Sequence, residues 1–145
     1  MRDLYRHLGP LPAVLMTPAR VALSVPLVNA FTHPLVAGPV LASHPFDLQD
    51  FTFEGESESA PAHVGPPSIN VEAKLVGVDD DNIENGGDPT GSLLIRGPSV
   101  GKTGNEHHED YVQVSSADKD EKDEGWVSTG VRATVQPNGS FVVLS

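Results

Sequence analysis

Three stretches of this 145-residue chain carry side chains with the chemistry of a site. His107-His108-Glu109-Asp110 has metal-ligand types, but neighbours in an extended segment point to opposite sides. No helical i, i+4 spacing supports a metal centre there, so the run reads as solvated charge. Gly97-Pro98-Ser99-Val100-Gly101-Lys102-Thr103 follows an apolar run and imitates a phosphate-binding loop. It is one residue short of G-x-x-x-x-G-K-[ST], and no helical pattern follows to offer its N-terminus to an anion. Asp79-Asp80-Asp81-Asn82-Ile83-Glu84 matches a calcium loop only in composition. With Asp80 first, Asn85 stands where the sharp turn needs Gly, and no Glu occupies the twelfth position. His33 and His44, each beside a proline, read as loop or core histidines rather than bases.

The elements that would have to position a site are short. Thirteen prolines and fourteen glycines disfavour long helices and favour strands joined by turns. There is no cysteine, which excludes disulfides and thiolate chemistry and is compatible with a reducing compartment. The length suits one domain with a modest core. Residues 1–53 balance three basic against three acidic side chains, so the net charge of −11 arises from residues 54–145. Such a surface repels phosphate backbones, which argues against nucleic-acid binding and for solubility or a basic protein partner. Residues 21–46 contain no Asp, Glu, Lys or Arg and are long enough to span a bilayer. Pro26, Pro34, Pro39, Pro45, Asn29, Thr32 and His33 within them predict buried strand and loop instead, not an integral membrane segment. Pro10, Pro12 and Pro18 likewise interrupt any secretory apolar core.

In chain order, residues 1–7 predict one polar helical turn. Thr17-Pro18 predicts an N-cap and first helical position, with a helix over 18–23. Residues 25–31 read as a short buried strand that starts at Pro26. Residues 46–61 read as an irregular loop with Phe46, Phe51 and Phe53 as apolar anchors. Ile69, Val71, Ala73 and Leu75 alternate with Asn70, Glu72 and Lys74 as a strand does. Residues 79–90 read as an acidic loop, Ser92 to Arg96 as a strand, and 105–124 as polar with Tyr111 to Val114 its apolar anchor. Val131, Ala133 and Val135 alternate with Arg132, Thr134 and Gln136, and Pro137-Asn138-Gly139 then turns the chain into Phe141-Val142-Val143-Leu144. That is the pattern of a hairpin, with Trp126 read as its core anchor.

Three blocks together resemble the adenylate-forming acyl-CoA synthetases, in particular the long-chain fatty acid–CoA ligases. They are Val64-Gly65-Pro66-Pro67 with Asn70 to Val76, Gly91-Ser92-Leu93-Leu94-Ile95-Arg96-Gly97-Pro98, and Gly125-Trp126-Val127-Ser128-Thr129-Gly130. The family has G-E-L-x-x-R-G and G-W-x-x-T-G-D there, in the barrel subdomain beside the AMP site. Val25 to Phe31, followed by Gly38 to Leu41, resembles the strand and loop of the family's Y-G-x-T-E motif. The resemblance spans roughly residues 15 to 145 and implies a mainly β, α+β fold. Its expected parts are a partial barrel or twisted antiparallel sheet of five to seven strands at 64–145, a small α/β remnant at 1–45, and a linker at 46–63.

Carried over residue by residue, Phe31 takes the Tyr position and Thr32, His33, Pro34 and Leu35 take Gly, x, Thr and Glu. The vestigial adenylate-site positions are then Phe31, Thr32, Trp126, Thr129 and Gly130. In the family that Thr and Glu contact the α-phosphate and magnesium, and the Asp of T-G-D holds the ribose. Pro34, Leu35 and Val131 supply none of this, since a hard cation wants oxygen ligands. The family's phosphate loop and hinge lysine have no counterpart in these residues. The resemblance therefore implies ATP, magnesium and CoA for the family, with none of them expected for this chain. The expectation is a cytoplasmic protein, peripheral to a membrane by the resemblance and inactive alone. The alternatives are an acidic interaction module and a non-catalytic acyl or nucleotide binder.

Overall fold

The computed structural model describes residues 12–47, 61–101 and 125–144. The readings of 1–7, of 107–110, of 111–114, of Lys102 and Thr103, and of Phe51 and Phe53 lie outside the described residues. Among the described residues, six strands and two helices are arranged as α1 (Ala13–Leu23), β1 (Ala30–Thr32), β2 (Pro39–Ala42), β3 (Glu72–Val76), α2 (Asp80–Glu84), β4 (Thr90–Arg96), β5 (Val127–Val135) and β6 (Phe141–Leu144). β1 and β2 form an antiparallel ribbon, and β3-β4-β5-β6 form an antiparallel meander. The architecture is the mainly β one the sequence predicts.

The hairpin read from the alternation at 131–144 forms as expected, with Ala133 opposite Val143 and Val135 opposite Phe141. Gln136 and Ser140 close its turn, and the Ser140 N–H donates to Asn138 Oδ1 at 2.9 Å. Period-two alternation sends Ala73, Leu75, Leu93, Ile95, Ala133 and Phe141 to one face. There they meet Val40 and Leu41 of β2 and Val64 and Val71 in a single core.

Residues 64–68 join ribbon to meander. The Val64 N–H donates to the Phe141 carbonyl at 2.7 Å, and the Phe141 N–H to the Gly65 carbonyl at 3.0 Å. On the other side, the Ala42 N–H reaches Pro66 O and the Ser68 N–H reaches Val40 O. Gly65 is required at this crossing: its φ is +78°, and a Cβ there would sit 2.2 Å from the Ala42 carbonyl oxygen.

Four local expectations change. The helix begins one turn before Pro18, from an N-cap at Pro12, so Pro18 lies inside it rather than at its start. Ala13, Leu15 and Met16 are good helix formers, and Ala13 and Met16 gain burial against Ala62 and Leu27. The buried strand read over 25–31 shrinks to Ala30–Thr32, with Val25 and Val28 exposed. β3 starts at Glu72, leaving Ile69 at 89% exposure, because Asn70 at positive φ breaks the alternation. The acidic loop contains α2, whose first turn is stabilised by Asp79 accepting the Asp81 N–H at 3.1 Å. No helix among the described residues is long and apolar enough to cross a membrane.

Candidate functional site

The site positions predicted from the sequence fall into three places. Phe31 pairs with Leu41 and packs half-buried on the core, whereas Thr32 is exposed at a register shift opposite Pro39. The following residues form a tight turn. The His33 carbonyl accepts the Val36 N–H at 2.9 Å, and His33 Nδ1 accepts the Leu35 N–H at 3.3 Å. Burial holds the His33 imidazole below its ordinary pKa. Leu35 uses its carbonyl to accept the Gly101 N–H at 2.6 Å, and Val36 bridges Val100. This turn is therefore clasped to the turn that ends β4. In that second turn the Val100 N–H donates to the Gly97 carbonyl at 3.0 Å, a strand-ending turn rather than a phosphate cradle.

Thr129 and Gly130 sit on a bulge in β5. Ser92 faces Arg132 and Leu94 faces Ser128, so Thr129, Gly130 and Val131 together oppose the single residue Leu93. Thr129 Oγ1 donates to the Leu93 carbonyl at 2.8 Å and accepts the Val131 N–H at 3.4 Å. Gly130 supplies a φ of +73° with open space where a Cβ would be. Bulges of this kind re-aim the side chain that follows. Here that side chain is Val131, which packs against the core.

Trp126 is placed differently from the reading of it as a core anchor. Val127 opposes Ile95, which is buried in the core, so the neighbouring Trp126 belongs to the opposite face of the sheet. Lys74 Nζ lies 4.5 Å and Arg96 Cζ 4.7 Å from its ring centroid. Arg96 also donates from Nε to Glu72 at 3.0 Å. Indole attracts cations through its π face, and the hairpin's core is left to Ala133 and Phe141.

A cleft of about 910 Å³ opens beside β2 and the 64–68 crossing, lined in part by Pro39, Ser43, His63, Pro66, Ser68 and Ser140. Its buried polar members went unnoticed in the sequence. Ser43 Oγ accepts the Asn29 N–H at 2.9 Å, and Asn29 Nδ2 donates to the His63 carbonyl at 3.0 Å. For Asn29 and Ser43 the signal was polar residues in a charge-free segment, which must find partners inside the protein when buried. Among the described residues no group of three His, Asp or Glu side chains is arranged to hold a metal.

No protein-family model matches the chain, and a comparison with curated proteins finds no match. Solved structures do match. O-succinylbenzoate coenzyme A synthetase from Bacillus subtilis superposes with a TM-score of 0.61 and 19% identity, over 95% of this chain and 26% of that one. The amide bond synthetase McbA from Marinactinospora thermotolerans gives 0.60 and 18%, over 94% and 24%. An anthranilate CoA ligase in complex with anthranoyl-AMP gives 0.57 and 20%, over 93% and 22%. The fold is that of part of an adenylate-forming ligase. The chain spans about a quarter of the length of these enzymes. Their printed activities differ from one another, so the likeness carries the fold and no preference for long-chain fatty acids.

Proposed function

We propose that this chain is a non-adenylating portion of the AMP-binding domain of a long-chain fatty acid–CoA ligase. The observation that carries the reading is the β5 bulge. The backbone that turns a T-G-x segment is intact, held by Thr129 Oγ1 on the Leu93 carbonyl, yet the side chain it directs is Val131 on the core. Phe31, Thr32, Trp126, Thr129 and Gly130 are, in this reading, vestigial positions of an adenylate site. At the other motif, Pro34 and Leu35 offer neither a hydroxyl nor a carboxylate, and the Leu35 backbone is engaged with Gly101. Adenylation draws most of its transition-state stabilisation from phosphate-binding donors, metal and cationic side chains. With these positions filled by apolar residues, the chain alone binds no ATP, magnesium or CoA and forms no acyl-adenylate. The long-chain branch rests on the order of the three sequence blocks, and a cytoplasmic, membrane-peripheral location follows from it.

The test is acid-dependent pyrophosphate release by the purified chain with ATP, magnesium and palmitate, beside calorimetry with AMP and a fatty acyl-CoA. No release and no heat are expected. Release would overturn the reading, and heat without release would make the chain a non-catalytic binder.

A second reading is favoured by α2, whose Asp80, Asp81 and Glu84 are all exposed, with Asp79 beside them. Such a surface suits a basic protein partner, and binding to it would weaken steeply with salt and vanish when these acids are neutralised.

A further inference from the structure

Asparagine followed by glycine is a reactive dipeptide, and the sequence holds two, Asn85-Gly86 and Asn138-Gly139. The glycine nitrogen attacks the side-chain amide carbon of the asparagine, a C–N bond forms, and ammonia leaves. Water then opens the resulting succinimide to aspartate or isoaspartate. The step needs no oxidant, and glycine puts no side chain in the way of the attack. What the fold controls is whether that nitrogen is available. In both pairs it is engaged. The Gly86 N–H donates to the Ile83 carbonyl at 2.9 Å, and the Gly139 N–H to the Gln136 carbonyl at 2.9 Å. Reaction therefore waits for the turn to open, and the two turns differ in what opening costs.

The Asn138 turn is tied to the core. Its side chain is held as well, since Oδ1 accepts the Ser140 N–H at 2.9 Å. Phe141, two residues after Gly139, is buried, pairs with Val135, and exchanges backbone bonds with Val64 and Gly65 on its other side. Freeing the Gly139 nitrogen pulls on all of these. The Asn85 turn is tied only to itself. α2 has no buried residue, and residues 79–86 are all exposed. Its bonds stay local: Asn85 Nδ2 donates to the Asp81 carbonyl at 2.7 Å, the Gly87 N–H to the Asn82 carbonyl at 2.9 Å, and Asn82 Nδ2 to the Asp88 carbonyl at 3.2 Å. A segment with so few buried contacts opens while the sheet stays closed.

We infer that Asn85 is a site of spontaneous deamidation in the folded chain, and that Asn138 is protected from it. Each event at Asn85 adds a carboxylate beside Glu84 and removes the Nδ2 donor that holds the Asp81 carbonyl at the end of α2. The inference does not depend on whether the chain adenylates acids.

The experiment incubates the purified full chain at mildly alkaline pH and body temperature and maps its peptides by mass spectrometry over time. The readout is the mass increase that replaces NH2 by OH, with isoaspartate resolved by chromatography. Synthetic peptides spanning 79–90 and 134–142 give the intrinsic rate of each pair. Asn85 in the folded chain should react within about 5-fold of its peptide, and Asn138 at least about 20-fold more slowly than its own. In urea above the unfolding midpoint, Asn138 should rise to its peptide's rate while Asn85 changes little. Asn85→Gln should remove the early product. An Asn85 slowed as much as Asn138, an Asn138 that keeps pace with its peptide in the folded chain, or an early product that survives Asn85→Gln would overturn the inference.

Discussion

Trp126 shows how a single side chain changes meaning once its face is known. In a β-rich segment an indole reads as core, yet here it lies within 4.5 Å of Lys74 Nζ and 4.7 Å of Arg96 Cζ. Trp126→Ala should lower the unfolding free energy by ~1–2 kcal/mol in chemical denaturation, and Trp126→Phe by less. Ile95, by contrast, is fully buried in the core, so Ile95→Ala should cost ~2–5 kcal/mol by the same measurement. His33 provides a pH dependence whose sign is fixed by burial. Its folded-state pKa lies below the unfolded value, so the unfolded chain binds the proton more readily. Stability is then full above the ordinary histidine pKa of about 6.5 and falls as the pH drops from there toward the lowered value. Thermal denaturation across pH 7.5 to 5 should show this fall, and it should diminish in His33→Gln.

Among elements, α1 and β5 each tolerate a local irregularity for the sake of packing. Pro18 lies inside α1 without an N–H to give and on its exposed side. Pro18→Ala should therefore restore a helical hydrogen bond and raise stability by ~1 kcal/mol, read from the denaturation midpoint. The helix was legible in the sequence over 18–23, but Thr17-Pro18, which reads as a start signal, lies inside it. Its first turn was not, since what favours it is contact of Ala13 and Met16 with Ala62, far along the chain. The hairpin at 131–144 was legible because alternation and Pro-Asn-Gly agree locally. The β5 bulge was not, because the extra residues opposite Leu93 are visible only once β4 is paired. The candidate site divides along the same line. Thr129 and Gly130 were singled out through a motif resemblance, but the cleft residues Ser43 and His63 carry no motif and are brought together by tertiary contact alone.

At the scale of the whole molecule, the crossing at residues 64–68 turns a ribbon and a meander into one body with one core. The bridge between Gly65 and Phe141 joins residues 76 positions apart. Loop closure over such distances must precede the contacts that reward it, which slows folding. During synthesis, Val40, Leu41 and Val64 leave the ribosome long before their counterpart on β6 exists. Until residue 141 emerges, that nascent surface is adhesive, so yield of this protein in cells should depend on chaperone supply more than the strength of its finished core would suggest.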